Sequence, residues 1–148
     1  MELRRGAEHT LRPALLYLCA MGTAVTHGIQ VTARARYEPA HSDPKAARHI
    51  FSYRIAIRNA GEGTVQLLRR HWLIRDTLHG PREVEGPGVV GETPVLAPGE
   101  EFTYSSACDL RGAFGRMKGS YLMRRLHDGT EFRVEIPEMQ LACSLANN

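Results

Sequence analysis

The stretch with the most chemical potential is Gly86-Pro87-Gly88-Val89-Val90-Gly91, whose glycines spell G-x-G-x-x-G. In that spacing, successive backbone N–H groups can converge on a phosphate. A dinucleotide site also needs a helix opening on the last glycine. Here Pro94 and Pro98 follow at once, and neither lets a helix run on from Gly91. No Gly-Lys-Ser/Thr follows, so a phosphate loop of that type is excluded. What remains is an anion nest made from the amides of Gly86, Gly88, Val89, Val90 and Gly91, with Arg82 or Arg116 as counter-charge. That nest would suit pyrophosphate or a nucleotide. The plainer expectation is that these glycines serve turns and close strand approach, and Pro87 already removes one donor from the loop.

Other reactive side chains are scattered. His71, Asp76 and His79, and separately His127 with Asp128, offer metal-ligand chemistry, but a slip near Arg70 and a turn at Gly80 keep them from one face; no metal site is expected. Ser105, Ser106 and Cys108 lie on an alternating strand with no G-x-S-x-G elbow and no base close in sequence. Glu100 and Glu101 point to opposite sides of a strand, while Glu83 and Glu85 share a face, where exposed acids serve solubility. No catalytic residue and no cofactor is expected. For recognition the candidates are Arg69, His71, Trp72, Arg82 and Arg116; Trp72, the lone tryptophan, is equally the natural core residue of a sandwich.

The elements that must position these residues read as strands. Ile29, Val31, Ala33, Ala35 and Tyr37 alternate with polar neighbours, as do Phe51, Tyr53, Ile55 and Ile57. Between them Pro39 to Pro44 is a turn cluster, and Asn59-Ala-Gly61-Glu-Gly63 closes the second strand. Val65 to Asp76 is apolar with a slip around Arg69-Arg70-His71, which implies a bulge or a change of sheet. His79-Gly80-Pro81 is expected to turn the chain into a short edge strand, Arg82 to Glu85. Glu101 to Cys108 alternates again. Tyr121 to Leu126 and Phe132 to Ile136 flank an Asp128-Gly129 hairpin, and Pro137 interrupts the last strand before Met139 and Leu141. Seven or eight short strands with almost no helical period predict an antiparallel β-sandwich.

Composition sets the outer bounds. A chain of 148 residues with 43% hydrophobic and 24% charged residues is one ordinary globular domain. The net charge of +3 comes from seventeen arginines and two lysines, and arginines at alternate strand positions read as a solvated sheet face rather than a nucleic-acid site. Three widely spaced cysteines, Cys19, Cys108 and Cys143, form neither a disulfide framework nor a zinc site and suit a reducing cytoplasm. No apolar run reaches the roughly eighteen residues a membrane helix needs. The apolar run from Ala14 to Val25 behind Arg4, Arg5 and Arg12 imitates a secretory signal only loosely, without a clean cleavage site. Met21 is the simpler start, so residues 1–24 are expected to be an extension, mobile or misassigned, ahead of a sandwich at 25–144 and a tail at 145–148.

Several ordered motifs coincide across residues 29–142: Val65-Gln-Leu-Leu-Arg-Arg-His-Trp-Leu-Ile74, Glu83-Val-Glu-Gly-Pro-Gly-Val-Val-Gly-Glu92, Pro94-Val-Leu-Ala-Pro-Gly-Glu-Glu-Phe-Thr-Tyr-Ser-Ser106, Gly115-Arg-Met-Lys-Gly-Ser-Tyr-Leu-Met123 and Val134-Glu-Ile-Pro137. Together they resemble the ApaG family. The departures are Pro87, where the family often has glutamate, Ala113-Phe114 with Arg116 in place of a Thr-Pro-x-Gly-Thr turn, and Met139 for a phenylalanine. The resemblance implies an immunoglobulin or fibronectin type III-like sandwich and a genetic link to cobalt resistance and magnesium efflux, without an established reaction. The same domain in eukaryotic F-box and polymerase-associated proteins resembles a partner-binding module. The expectation is therefore a non-catalytic cytoplasmic protein that binds another protein through a sheet face, an edge strand or a loop end. Pyrophosphate binding at Gly86–Gly91 is the alternative.

Overall fold

The computed structural model describes residues 18–143, with side chains from Met21 onward. Nine strands form two antiparallel sheets among the described residues: β1 (Leu18–Thr26), β2 (Ile29–Tyr37), β3 (His49–Asn59), β4 (Val65–Asp76), β5 (His79–Pro87), β6 (Val95–Leu96), β7 (Glu101–Leu110), β8 (Phe114–Arg125) and β9 (Glu131–Ala142). One sheet runs β1-β2-β3-β7. The other runs β5-β4-β8-β9, and β6 joins it by pairing with β4. The result is an immunoglobulin/fibronectin type III-like sandwich, as expected, with β1 and β6 added to the strands read from the pattern.

The boundary expected at residue 25 falls inside a strand. β1 begins at Leu18 and pairs with β2 through a two-residue turn, His27-Gly28, with φ of 49° and 79°. Both central residues are left-handed, the type I′ geometry that matches strand twist. The remainder of the expected extension and the tail lie outside the described residues. A second difference sits at the β4–β5 turn, which is Thr77-Leu78 rather than His79-Gly80-Pro81. Asp76 sets it: Oδ1 accepts the Leu78 N–H at 3.0 Å, fixing the turn before the glycine is reached. Pro137 does not end its strand. It sits at a bulge where β8 and β9 shift register between Met117 and Gly119, a position that needs no donor.

Period-two alternation decides the core. Ile29, Val31, Ala33, Ala35 and Tyr37 from β2 and Phe51, Tyr53, Ile55 and Ile57 from β3 all face inward and meet Leu67, Trp72, Tyr121, Met123, Val134, Met139 and Leu141 of the other sheet. Each large apolar side chain in this set contributes about 1.5–3 kcal/mol on burial, whereas a surface ion pair contributes about 1 at most, so this layer holds the fold. The inner polar groups are paired. Tyr104 of β7 and Tyr121 of β8 share a hydrogen bond through their hydroxyls across the sheets. Buried Asn59 donates from Nδ2 to the Gly63 and Leu96 carbonyls at 2.8 and 2.9 Å.

The sandwich edges face one another. Gly22 of β1 lies under Pro137 of β9, and the Glu135 N–H donates to Thr26 Oγ1 at 3.2 Å. On the opposite side, Arg82 of β5 reaches β7, donating to Asp109 Oδ1 at 3.2 Å.

Candidate recognition surface

The glycine loop and the slip in β4 are one feature. β5 and β6 pair with the same edge of β4, and the chain between them steps around a bulge at Leu68, where the β4–β8 register shifts. Gly88 N–H donates to the Leu68 carbonyl at 2.8 Å and Leu67 N–H to the Pro94 carbonyl at 3.0 Å. Within the loop Val89 and Glu92 exchange both backbone bonds, at 2.8 and 2.9 Å. Val90 and Gly91, with φ of 44° and 79°, form the type I′ turn between them. A Cβ on Gly88 would lie 2.2 Å from the Glu92 carbonyl oxygen, so only glycine fits. Of the amides nominated for a nest, those of Gly88 and Val89 are therefore spent on protein carbonyls, and the Val89 side chain is buried. The cation at this loop is neither Arg82 nor Arg116 but Arg70, whose Nη1 donates to the Pro87 and Gly88 carbonyls at 2.9 and 3.0 Å.

The five recognition candidates do not share a surface. After the Leu68 bulge, β4 turns Arg69, His71, Leu73 and Arg75 outward and Arg70, Trp72 and Ile74 inward. Arg69 and His71 face solvent with ion-pair contacts to Glu85 and Glu83 at 3.8 and 3.6 Å. Arg116 lies on the same outer face, 3.6 Å from Glu138. Trp72 must be removed from the surface: it is 2% exposed and packs edge-on against Tyr53 at 5.5 Å between centroids. Arg82 belongs to the inner side of edge strand β5, where it bridges to Asp109 and lies 3.6 Å from Cys108 Sγ.

The catalytic candidates are likewise dispersed. Burial pushes the Cys108 thiol up to about 11, against the opposing pull of Arg82, so it is a thiol and not a thiolate at neutral pH. Ser105 faces outward on β7, while Ser106 falls on the opposite, inner side. Among the described residues no group of three His, Cys, Asp or Glu side chains comes together to hold a metal. Asp76 is occupied structurally: Oδ2 accepts the Arg111 N–H at 2.7 Å, and Oδ1 the N–H groups of Gly112 and Leu78 at 2.9 and 3.0 Å. Partial burial raises its carboxyl, but these three donors and His79 outweigh that and hold it below the ordinary value.

A cleft of about 420 Å³ opens at the end of the five-stranded sheet, walled by Arg75, Thr77, Phe114, Arg116, Gln140 and Leu141. Phe114 is 52% exposed although it is a large aromatic. Arg75 and Arg116 also wall the neighbouring hollow with Lys118 and Glu138, so they form the ridge between two depressions on this face. Phe114 and Arg75 are the functional candidates that the sequence reading passed over. The signal for Phe114 was the departure of Ala113-Phe114 and Arg116 from a Thr-Pro-x-Gly-Thr turn.

Comparison with known proteins follows the same outline. The ApaG-domain family model matches residues 39–125. The chain is 48% identical over 114 residues to Protein ApaG of Dechloromonas aromatica, covering 77% of this chain and 89% of that relative. It is 44% identical over 122 residues to Protein ApaG of Aromatoleum aromaticum, covering 82% and 95%. Among solved structures it is similar to an ApaA protein from Bordetella pertussis, with a TM-score of 0.74 and 41% identity over 77% of this chain and 92% of that one.

Proposed function

The chain belongs to the ApaG-domain family, and from that premise we propose that it is a non-catalytic, cytoplasmic protein-interaction module that docks a partner protein at the Phe114 cleft. One observation carries this reading: a half-exposed phenylalanine shares the walls of a cleft of about 420 Å³ with two arginines. Aromatic and arginine side chains grouped in a desolvatable hollow are the usual anchors of protein interfaces. The nucleophiles and carboxylates that could have argued for catalysis are buried, hydrogen-bonded or on different faces. The family's link to cobalt resistance and magnesium efflux is assigned to the partner's activity rather than to metal held by this chain.

The test compares the full-length protein with Phe114→Ser and Arg116→Glu in partner capture followed by crosslinking. A partner held in fixed stoichiometry should lose about tenfold or more in affinity with either variant, the magnitude of a hot-spot truncation. Absence of a stoichiometric partner at every salt concentration, or one that both variants retain, overturns the reading. Pyrophosphate titration is expected to leave the Gly86–Gly91 amide resonances in place, because Gly88 and Val89 already donate within the protein. Their movement would restore the anion-binding alternative.

A further inference from the structure

The outward face of the four-stranded sheet carries a charge arrangement that the fold itself does not explain. Pairing of β2 with β3 sets Arg34 directly opposite Arg54, with Arg36 two residues further along β2 and Arg58 on β3. All four side chains are exposed. Like charges directly opposite on neighbouring strands oppose sheet formation, yet neither the Arg34 nor the Arg54 side chain has a hydrogen-bond or ion-pair partner among the described residues. Two acids border this region: Glu101 stands opposite Arg58 across β3 and β7, and Glu38 is engaged at the rim, where it accepts the Ser52 hydroxyl at 2.6 Å and lies 4.0 Å from Arg36. Between the arginines is a hollow of about 300 Å³, with Ser105 as a hydroxyl donor on its wall beside the Ser52–Glu38 pair.

We infer that this face is a docking site for an extended acidic segment of a partner protein, with carboxylates seated over Arg34 and Arg54. Charge complementarity requires an anion, and the geometry selects its class. Same-side residues of an extended peptide laid along β2 repeat every ~6.6 Å, so one carboxylate falls between the cross-strand partners Arg34 and Arg54 and can meet both guanidinium groups. Guanidinium groups match carboxylates in two-point contacts, which favours arginine over lysine here. A single-stranded nucleic acid would bring a similar phosphate spacing but needs aromatic platforms for its bases. On this sheet the described aromatics, Tyr37, Phe51, Tyr53, Phe102 and Tyr104, all turn to the core side. The site lies on the opposite sheet from the Phe114 cleft, so either surface can fail without the other.

The experiment is fluorescence anisotropy of the full-length chain with a labelled extended peptide carrying aspartate at alternate positions. Its arms are an asparagine version of that peptide, a single-stranded oligothymidylate of equal length, and the variants R34Q/R54Q and R34K/R54K. The aspartate peptide should bind saturably at low salt and the asparagine peptide should not. R34Q/R54Q should weaken binding by more than about tenfold, from loss of two charge-assisted contacts. R34K/R54K should recover part of it, and R133Q, on the outer face of the other sheet, should show none of the loss. The melting temperature of R34Q/R54Q should match or exceed that of the parent, which separates lost binding from lost folding. Failure of the aspartate peptide to bind, indifference of its affinity to R34Q/R54Q, or tighter binding of the oligothymidylate would each overturn the inference.

Discussion

The two outer faces of the sandwich handle charge in opposite ways. On the five-stranded sheet, cross-strand neighbours neutralise one another: Arg69 with Glu85, Arg116 with Glu138, and Arg124 with Glu131 at 3.2–3.8 Å. On the four-stranded sheet Arg34 confronts Arg54, and Arg36 lies 4.0 Å from Glu38 beyond the end of its strand. Both faces rest on the same inner layer and obey the same alternation, so folding did not require the difference. A face that balances its own charges is complete as a surface, whereas one that sets like charges side by side gives up stability that an external anion can restore.

The most severe way to break this comparison is to remove the layer both faces share. Trp72→Ala should cost about 3–5 kcal/mol, read by chemical denaturation, because the indole is almost fully buried against Tyr53. A loss below about 1 kcal/mol would mean that the faces are not rigidly coupled. Next in size is Asp76→Ala, which strips three backbone N–H groups of their acceptor and should cost about 1–3 kcal/mol. The carboxylate's contribution has a defined sign. Since its folded value is depressed, the stabilisation is present above the unfolded value near 3.8 and fades as pH falls through the lower folded value. Acid titration of the melting temperature should therefore flatten in Asp76→Ala.

Smaller effects sharpen the contrast itself. Arg34→Glu converts the like-charge neighbour of Arg54 into an opposite one and should stabilise the protein by up to about 1 kcal/mol. Destabilisation instead would show that the arginines are already compensated. The smallest effect belongs to the balanced face. A double-mutant cycle on Arg69 and Glu85, an exposed pair at 3.8 Å, should yield only about 0.2–0.5 kcal/mol and vanish at high salt.

Much of the fold was legible because alternation is a local signal. The inward sets of β2 and β3, the Asp128-Gly129 hairpin and the disturbance near Arg70 all follow from residues a few positions apart. What escaped depends on register or on one side chain overriding a turn preference. The meeting of Arg34 with Arg54 spans an irregular connection that holds two 3-10 turns, Pro39–His41 and Pro44–Ala46, and no local pattern fixes that pairing. Trp72, read both as the core tryptophan and as a recognition candidate, falls in the core because the bulge lies at Leu68, which sets the phase of everything after it. Arg82 lies on an edge strand that is polar on both sides, so its face could not be read from alternation. The β4–β5 turn came early because Asp76 outcompeted the His79-Gly80-Pro81 signal. The glycine signature was visible throughout, but its meaning, a step around the Leu68 bulge, needed the neighbouring strand.

The phenol pair that spans the core also gives the protein an optical handle. Burial raises the ionisation of both Tyr104 and Tyr121 above the ordinary value of 10, since an anion would have to form between the sheets. Burial also raises Tyr37 and Tyr53, so phenolate absorbance in the near ultraviolet should appear late as the solution is made alkaline, in two waves with Tyr104 and Tyr121 silent in the first. Stability tied to their neutral state is full below pH ~10 and declines as pH rises beyond it. The second wave then coincides with separation of the sheets, so a spectrophotometer reports directly on the seam of the sandwich.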